Sequence, residues 1–416
     1  MRKSLTIAVA AALIILLSTM VWSAPITIQF GIYADPARQV VAEEQAAQFM
    51  KAHPDIKVQV VAVPYSDYYT KLGVAMATGD AWDVFMINGA YFSQAVPEGQ
   101  LADLTDRIKQ AGLKLSDYTV DPVCSEYRGR TYALPYELNM SAILYNQDLF
   151  DKAGVAYPTD DWTWDDLLEK AQKLTVKQGN RTVQWGFYSE NHYASQLSFI
   201  TQNGGAFVDA TGTRSMIAEP EAVEALQFMV DLVQKYGVSP AASELPPGVN
   251  PFMTNRVAMV VGYSFSVQPT LEAPFRWGIA MWPQNKQRGN AYWTQGVGLY
   301  ARGKNQAAAW EFAKYLMSTE AQTIMARERG ATPCLKSVAQ SSAYTAAPPA
   351  GMDVFVRSYE KGGVAVPFSA TFFQTFSGAS AALTVQMSKA WSGAVTVPAA
   401  AAQAAAEIDK IIGAKK

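Results

Sequence analysis

Two hydrophobic periods alternate along the chain from residue 26 onward. The apolar runs at 26–30, 56–63 and 82–87 are short and rich in β-branched and aromatic residues, as buried strands are. Between them, residues 37–52 and 66–78 place their apolar side chains at helical spacing. This β-α-β-α-β order predicts a parallel sheet with helices packed on its faces, which is an α/β fold.

Polar and aromatic residues stand where the predicted strands end. Tyr33 and Asp35 follow the first strand, Tyr65 follows the second, and Asn88 and Tyr91 follow the third. Ligands of open α/β sheets bind outside the carboxyl ends of the strands. These residues are therefore predicted to contact a polar ligand through hydrogen bonds and through stacking on their rings.

A second α/β block begins with residues 132–146, which predict a strand, a turn and another strand. A helix over 160–177 follows, and Thr163 and Asp166 have the spacing of a capping box at its start. Asp165 and Asp166 also suit a helix N-terminus electrostatically, so we interpret them as capping residues rather than as a catalytic carboxylate pair. The two blocks have no linker between them, which predicts two lobes between which the chain crosses several times.

The N-terminal segment has the layout of a secretory signal peptide. A basic pair precedes a mostly apolar run at 5–17, and the small residues Val21 and Ser23 favour cleavage after Ser23. A single membrane anchor is the alternative, but the apolar run is short for a span of about 20 residues. No cysteine adjoins the cleavage position, so a lipid anchor is not expected there. We therefore expect residues 1–23 to be removed and the mature protein to be periplasmic or secreted.

Composition and charge exclude several classes of function. The 416 residues include 34 basic and 36 acidic ones, so the net charge of −2 offers no electrostatic surface for nucleic acid. Two cysteines and two histidines are too few for zinc clusters or iron–sulfur centres, and neither a cofactor nor a metal ion is expected. Aromatic residues make up 12% of the chain, so a role for some of them in ligand binding is a reasonable expectation.

Two glycine patterns near residue 300 are typical of nucleotide-binding proteins. The run GVGLYA at 296–301 matches a dinucleotide fingerprint, and GLYARGK at 298–304 matches a phosphate-binding loop. A fingerprint needs a helix to begin inside it, whereas residues 299–300 continue a strand pattern. A phosphate-binding loop needs Ser or Thr after the lysine, and Asn305 stands there instead. Nucleotide binding is therefore not predicted, and without a G-x-S-x-G turn neither is serine-hydrolase chemistry.

Several short blocks, spread over nearly all of the chain after residue 24, match one protein family in their order and spacing. They are GDAWDV at 79–84, YRGRTYALPY at 127–136, LYNQDLFDKAG at 144–154, GG at 204–205, FMTNRVAM at 252–259, AAWEFAKYL at 308–316, TEAQ at 319–322 and GATP at 330–333. Together they resemble the family-1 extracellular solute-binding proteins of ABC importers, to which the maltose-binding proteins belong. Within the first block, Trp82 replaces the family's usual proline.

The resemblance implies a two-lobed periplasmic-binding-protein fold of type II, in which each lobe is a sheet flanked by helices and three crossings form the hinge. Carried onto this sequence, the crossings fall near 133–136, 294–298 and 327–332. The implied divisions are 1–23 for the signal peptide, 24–134 plus 295–330 for lobe one, and 135–294 plus 331–416 for lobe two. The implied protein is a monomer without enzymatic activity, which closes on a sugar and delivers it to ABC permease subunits in the inner membrane.

The resemblance also implies further ligand contacts. The additional candidates are Glu137 and Asn139 after Pro135, His192 and Tyr193 before a helix, Tyr263 and Phe265 after Gly262, Trp282 and Trp293 beside a loop, and Phe373 in a late helix. After the equivalent of Gly262 the family often has a tryptophan that stacks on sugar. Its absence here argues against a maltose-like pose.

The charge of the expected cleft bears on the chemical class of the ligand. A phosphorylated ligand such as a glycerol phosphate needs two or more basic residues there. Near the strand ends the basic residues are Arg38 and Arg276, and neither is well placed, so a neutral sugar or polyol is preferred. Two other interpretations stay open: a periplasmic sensor of the same fold, and a secreted hydrolase in which Asp35 and Glu137 face each other across the cleft.

The two cysteines flank the expected hinge. Cys124 precedes the first crossing, and Cys334 follows the third. In an oxidising compartment they are able to form a disulfide bond near the hinge. The alternative is a pair of separate, buried thiols.

Overall fold

The computed structural model describes residues 24–119, 124–245, 250–346, 348–365 and 370–413. The predicted signal peptide at 1–23 lies outside these ranges. Within them the chain is mixed α/β, as the sequence predicts. No helix in the described ranges combines the length and the hydropathy that a membrane crossing requires.

Thirteen strands and sixteen helices lie within the described ranges. The strands are β1 (Ile26–Tyr33), β2 (Ile56–Val63), β3 (Val84–Ile87), β4 (Glu126–Tyr127), β5 (Arg130–Thr131), β6 (Ala133–Asn146), β7 (Val176–Gln178), β8 (Arg181–Gln184), β9 (Met259–Tyr263), β10 (Trp277–Ala280), β11 (Asn290–Leu299), β12 (Thr332–Pro333) and β13 (Gly363–Ala365). The helices are α1 (Pro36–Ala52), α2 (Tyr65–Thr78), α3 (Gly89–Ala95), α4 (Thr105–Gln110), α5 (Gln147–Ala153), α6 (Trp164–Leu174), α7 (Tyr193–Gln202), α8 (Pro220–Gln234), α9 (Val267–Thr270), α10 (Gln306–Leu316), α11 (Thr319–Arg327), α12 (Lys336–Ala339), α13 (Ser342–Thr345), α14 (Asp353–Gly362), α15 (Ala370–Trp391) and α16 (Val397–Gly413).

The main sheet has the strand order β10-β6-β11-β3-β1-β2. β1 lies between β2 and β3 and is parallel to both, with Ile26 opposite Ile56 and Tyr33 opposite Val63. The helices α1 and α2 connect these three strands, so the predicted β-α-β-α-β arrangement is confirmed. Because the strands are parallel, all three end at the same edge of the sheet, and the residues that follow them lie close together.

β6 is a single buried strand of 14 residues, so the strand, turn and strand predicted for 132–146 are wrong. Its first part pairs with β11, and its second part pairs with β9 and β10. The pairing shifts between Gln295 and Gly296 of β11, which lie opposite Glu137 and Pro135, so Tyr136 is the extra residue of a bulge in β6. The irregularity accommodates a proline, which has no N–H to donate, and the strand therefore continues where the sequence indicated a turn.

The predicted crossings between lobes correspond to identifiable elements. The first two, near 133–136 and 294–298, lie in the paired strands β6 and β11. The third, near 327–332, runs from the end of α11 to the start of β12. The exact lobe boundaries stay a prediction, as does the hinge motion that these segments would allow.

Buried side chains form two hydrophobic clusters, as expected of a two-lobed molecule. The first surrounds β1, β2 and β3 and includes Phe30 and Phe49, whose rings contact Phe312 of α10 edge-on at 5.2 and 5.1 Å. The second is built mainly from α6, α7, α8, α15 and α16, and the rings of Trp164 and Phe228 stack there at 4.5 Å. The described part of the molecule therefore has two separate cores.

The start of α6 has the predicted capping box. The Thr163 hydroxyl accepts a hydrogen bond from the backbone N–H of Asp166 at 3.2 Å, and the Asp166 carboxylate accepts one from the backbone N–H of Thr163 at 2.7 Å. These bonds satisfy N–H groups that have no partner within the helix. The interpretation of Asp166 as a capping residue is therefore confirmed.

Candidate functional site

Two neighbouring cavities open where β1, β2 and β3 end. Cavity A has a volume of about 590 Å³, and cavity B has a volume of about 520 Å³. Tyr65, Tyr193, Trp293 and Gln295 line both, so the two cavities form one continuous cleft. Cavity A is further lined by Tyr33, Asp35, Arg38, His192, Tyr263 and Phe265, and cavity B by Tyr69, Asn88, Tyr91 and Phe376.

Ten of the predicted ligand contacts line this cleft, although they come from distant parts of the sequence. Those in cavity A alone are Tyr33, Asp35, His192, Tyr263 and Phe265; those in cavity B alone are Asn88 and Tyr91; those in both are Tyr65, Tyr193 and Trp293. Their shared position makes the cleft the candidate binding site. Contact of each residue with a ligand stays a prediction.

Tyrosines form much of the wall that follows β1, β2 and β3. The hydroxyls of Tyr33 and Tyr69 hydrogen-bond to each other, and the Tyr69 oxygen accepts a bond from the backbone N–H of Asn88 at 2.8 Å. The Tyr69 ring stacks on Tyr91 with ring centroids 4.9 Å apart. Burial raises the pKa of both Tyr33 and Tyr69, so their hydroxyls stay protonated at neutral pH. Tyr69 was not among the predicted contacts, although its spacing of four residues from Tyr65 places both on one helix face.

Asp35 and Asn88 fix the loops of the cleft because they also cap helices. The Asp35 carboxylate accepts a hydrogen bond from the backbone N–H of Arg38 at 3.0 Å, at the start of α1. The Asn88 side-chain oxygen accepts one from the backbone N–H of Tyr91 at 2.9 Å, at the start of α3. The capping role holds both loops in a defined conformation beside the cleft.

Arg38 lies in the wall of cavity A, so the expectation that it is poorly placed is wrong. Its Nε and Nη2 atoms donate to the Glu137 carboxylate at 3.1 and 2.6 Å, and its Nη1 atom pairs with Asp35 at 2.5 Å. The side chain is 13% exposed. Burial opposes the charge of the guanidinium, but the two carboxylates outweigh it and raise the pKa of Arg38 above its ordinary value. The cation is therefore already paired with two anions.

Glu137 and Asn139 lie behind the cavity wall and line neither cavity A nor cavity B. Glu137 is 1% exposed and is held by Arg38, and the fully buried Asn139 donates from Nδ2 to Glu137 Oε1 at 3.1 Å. Both residues belong to β6, in which every residue is buried. Their polar groups are hydrogen-bonded to each other and to Arg38, as buried polar groups usually are. Both residues support the position of Arg38 in this structure.

Trp282 is also outside the cleft, within the second hydrophobic cluster. Its Nε1 atom donates to the Ser141 hydroxyl at 3.0 Å, and its ring contacts Phe199 edge-on at 5.4 Å. Its neighbour in the prediction, Trp293, does line the cleft. The side chain of Phe373 lies outside the described part of the chain, while Phe376 of the same helix lines cavity B.

Aromatic rings form the opposite wall of cavity A. The rings of Tyr263 and Phe265 are stacked, with centroids 5.4 Å apart and an interplanar angle of 8°. Trp293 contacts the Tyr263 ring at 5.9 Å, and the Arg38 guanidinium lies 5.2 Å from the centroid of Phe265. The structure thus has a large aromatic surface near the position where the family's tryptophan is absent.

His192 is part of a hydrogen-bonded group at the edge of cavity A. Its Nδ1 atom lies 3.0 Å from the Tyr263 hydroxyl, which donates to Glu190 at 2.7 Å, and the Ser195 hydroxyl donates to the same carboxylate at 2.6 Å. Burial lowers the pKa of His192, and Glu190 only partly counteracts this effect. The imidazole is therefore neutral at pH 7. Glu190 and Ser195 were not predicted, since nothing in their local sequence distinguishes them from other polar loop residues.

The charges of the cleft argue against a phosphate ligand. Among the described residues that line cavities A and B, Arg38 is the one basic residue, and its charge is paired. Arg276 lies on the surface, 64% exposed, where it pairs with Asp148 and Asp151. In the described part of the chain, no group of three or more acidic, histidine or cysteine side chains could hold a metal ion.

The structure contains Cys124 and Cys334 as thiols rather than as the disulfide bond considered from the sequence. Both are buried, and they belong to different hydrophobic clusters. Burial raises the pKa of the Cys334 thiol well above its ordinary value. The charge of Cys124 contributes to this shift as well, so the two thiols are near enough to interact, and a disulfide bond between them stays a prediction.

Residues 33–323 match the model of the bacterial extracellular solute-binding proteins, which is well over half of the chain. The chain belongs to this family. A solved structure of high similarity is the ABC substrate-binding protein from Listeria monocytogenes in complex with cycloalternan. The TM-score is 0.84 at 28% sequence identity, and the alignment covers 94% of this chain and 99% of that one. The two-lobed solute-binding-protein fold is therefore confirmed.

Curated relatives of this solute-binding protein are similar over shorter stretches. The arabinooligosaccharide-binding protein of Bacillus subtilis (strain 168) is 28% identical over 208 residues, which are 48% of this chain and 45% of that protein. The maltotriose-binding protein of Pyrococcus abyssi is 25% identical over 314 residues, which are 73% of this chain and 65% of that protein. The matches thus span less than two thirds of each of these two relatives.

Proposed function

We propose that this protein captures a neutral oligosaccharide in the cleft formed by cavities A and B and delivers it to the permease of an ABC importer. The observation that carries the proposal is the cleft itself: two joined cavities with aromatic walls, uncharged hydrogen-bonding groups and one basic residue that is already paired. Sugar rings have apolar faces that stack on aromatic rings, and their hydroxyls need donors and acceptors. This cleft offers both.

The size of the cleft favours an oligosaccharide over a single sugar. Each cavity lies within the range of about 300–1,000 Å³ that is usual for one small-molecule ligand. Because Tyr65, Tyr193, Trp293 and Gln295 line both cavities, a chain of sugar rings is able to pass from one to the other. The names of similar proteins support an oligosaccharide as the ligand, since they refer to arabinooligosaccharide, maltotriose and cycloalternan.

The proposal also covers the location of the protein, the boundaries of its lobes and the delivery of the sugar. We propose that residues 1–23 direct export and are removed, and that the mature chain is a periplasmic or secreted monomer. Lobe one would comprise 24–134 plus 295–330, and lobe two 135–294 plus 331–416. The lobes would close on the sugar by hinge motion, and the closed form would dock on the permease subunits in the membrane.

The alternatives have less support from the site. A hydrolase would need two carboxyls placed on either side of the scissile bond, and Asp35 and Glu137 instead bind the same guanidinium. Glu137 also lies behind the cavity wall. A glycerol phosphate would meet an Arg38 that is already paired and the carboxylate of Asp35 in the same cavity, so its charge would stay uncompensated. We therefore propose a binding protein rather than an enzyme.

A thermal-shift screen of the mature chain, residues 24–416, tests this function. The panel contains maltotriose, arabinotriose, erythritol and glycerol 3-phosphate, each at low and high salt. We expect a neutral oligosaccharide to raise the melting temperature without salt dependence and without being hydrolysed. Stabilisation by glycerol 3-phosphate alone, or release of shorter sugars from an oligosaccharide, would contradict the proposal.

A further inference from the structure

The hydrogen bonds around His192 determine which of its ring nitrogens carries the proton. The Tyr263 hydroxyl lies 3.0 Å from His192 Nδ1 and 2.7 Å from Glu190 Oε1. Ser195 Oγ donates to the same Glu190 oxygen at 2.6 Å. The backbone N–H of Ala194, at the start of α7, points to Nδ1 at 3.4 Å, which is the N-cap contact of this helix and requires Nδ1 to be an acceptor. These four contacts connect one ring nitrogen to a buried network.

A count of protons distinguishes the arrangements of this network. A neutral imidazole has one N–H, and a phenol has one O–H. If Tyr263 donated to His192, its oxygen would lie 2.7 Å from the Glu190 carboxylate with no proton between two acceptors. In the second arrangement Tyr263 donates to Glu190 and the Nδ1–H of His192 donates to Tyr263, so both close contacts contain a proton. A bare Nδ1 would accept from Ala194 at 3.4 Å but would leave the shorter 3.0 Å contact with Tyr263 without a proton. This second arrangement gives up only the contact with Ala194, which is the longest of the four.

The second arrangement leaves Nε2 of His192 as a bare acceptor. Within the described part of the chain, every hydrogen-bond partner of the His192 ring is at Nδ1. The ring is half-buried and lines cavity A. Nε2 is therefore available to a ligand in that cavity, and the protein fixes its protonation from the other side of the ring.

We propose that His192 binds the ligand through Nε2, as the acceptor for a sugar hydroxyl, and that Tyr263 and Glu190 are positioning residues that hold the Nδ1–H tautomer. This inference rests on the proposed function, because it takes a sugar as the ligand. It makes His192 a specificity-determining residue: a sugar that lacks a hydroxyl at this position leaves Nε2 without a partner and binds more weakly.

The surroundings of the ring predict how binding depends on pH. The titratable and charged groups near His192 are Glu190 and Tyr193 on its own segment, Tyr263 of β9, and Asp35, Arg38 and Tyr65 in the wall of cavity A. Burial keeps the imidazole neutral at pH 7. In acid the ring takes a proton at Nε2, which removes the acceptor. The affinity for sugar therefore falls in acid, and replacing His192 by glutamine abolishes this part of the pH dependence.

Nitrogen NMR of the imidazole rings tests the tautomer directly. The sequence has two histidines, so the variant His53→Gln leaves His192 as the single histidine signal. We expect the free protein to show Nδ1 protonated and Nε2 bare, and we expect saturating maltotriose or arabinotriose to shift Nε2 more than Nδ1. A protonated Nε2 in the free protein overturns the proposal. The free-protein measurement needs no ligand, so its failure is distinct from a failure to bind sugar.

Two substitutions of His192 separate ligand binding from helix capping. Asparagine is a good N-cap for α7 but its side chain is too short to reach the position of Nε2. Glutamine is a poor cap, but its side-chain oxygen is able to take the place of Nε2. We expect His192→Gln to keep affinity within about threefold and His192→Asn to lose about tenfold, the size of one hydrogen bond. The opposite order would show that His192 acts only as a cap and would overturn the proposal.

The positioning role of Tyr263 has its own test. Tyr263→Phe removes the acceptor of the Nδ1–H, so His192 is expected to change to the Nε2–H tautomer and to lose affinity by about tenfold. The control is Tyr118→Phe, since Tyr118 also donates from a buried hydroxyl, to the backbone oxygen of Met317 at 2.7 Å, but lies outside the cleft. An unchanged tautomer in Tyr263→Phe would contradict the role of this hydroxyl.

Discussion

Cavity A and cavity B share four residues, but they are built from different chemistry. Cavity A combines the ion-paired Arg38, the neutral His192 and the stacked rings of Tyr263 and Phe265. Cavity B has no charged residue among its described lining residues and consists mainly of tyrosines, amides and hydroxyls. We therefore propose that cavity A holds one end of the ligand by directed hydrogen bonds, while cavity B adds contact area for further sugar rings.

Removal of the ion pair between Arg38 and Glu137 is expected to have the largest effect, which is on the stability of the protein. Arg38→Met leaves Glu137 as a buried carboxylate without its partner, and we expect a loss of about 3–5 kcal/mol in the free energy of unfolding. Urea denaturation measures it. The exposed Arg276→Met is the control and should cost about 0–1 kcal/mol. The double variant Arg38→Met with Glu137→Met should recover most of the loss. A loss below about 1 kcal/mol in the single variant would show that cavity A does not depend on this pair.

Trp293 tests whether the two cavities act as one cleft. Its ring lines both, so Trp293→Ala should weaken trisaccharide binding by about thirtyfold, the scale of a binding hot spot of about 2 kcal/mol. Calorimetric titration provides the affinity. Trp310→Ala is the matched control, because Trp310 is half-buried on α10 and lines neither cavity. If Trp293→Ala and Trp310→Ala bind the trisaccharide equally well, Trp293 is not part of the binding site.

A pair of smaller effects distinguishes cavity A from cavity B. Tyr91 lines only cavity B, and Phe265 lines only cavity A. Tyr91→Ala should weaken a trisaccharide by about fivefold and a monosaccharide by less than about twofold, because a lost aromatic contact is worth roughly 1 kcal/mol. Phe265→Ala should weaken both ligands by about fivefold. If Tyr91→Ala weakens both sugars equally, the proposed division of roles is incorrect.

The smallest effect concerns the stability of the protein in acid. Burial lowers the pKa of His192 in the folded state, so the unfolded chain binds more protons at this residue as the pH falls below about 6.5. Stability contributed by the neutral imidazole is therefore present at pH 7 and is lost toward pH 5. Between pH 7 and pH 5, the free energy of unfolding should fall less for His192→Gln than for the wild type. Urea denaturation at pH 7 and at pH 5 measures the difference.

The sequence predicted much of the cleft because its residues follow recognisable elements. Tyr33, Tyr65 and Asn88 follow strands whose order and parallel direction are readable from the alternation of apolar runs and helices. For these three residues a local pattern indicated the position, and the parallel sheet brought the positions together. Tyr193 and Tyr263 lie outside the three parallel strands, and the family resemblance supported the choice of Tyr263.

The incorrect sequence predictions concern residues whose position depends on a partner far away in the sequence. Arg38 belongs to the cleft because Glu137, 99 positions later, holds its guanidinium, and no local pattern contains that pairing. Trp282 was expected at the rim, but Ser141 and Phe199 hold it in the second core. A turn was expected between two strands in this region, whereas a bulge at Tyr136 allows β6 to continue through Pro135. Such features depend on tertiary contacts and could not be predicted from neighbouring residues alone.

The most direct test of the account is the affinity of the mature protein for sugars of increasing length, measured by isothermal titration calorimetry. The series runs from the monosaccharide to the tetrasaccharide, in both the α-linked glucose and the arabinose forms. We expect that in at least one series the affinity of the protein for the sugar rises by tenfold or more from one ring to three rings, because the added rings occupy cavity B. An affinity that is already maximal for the monosaccharide in the series that binds, or no binding in either series, would contradict it.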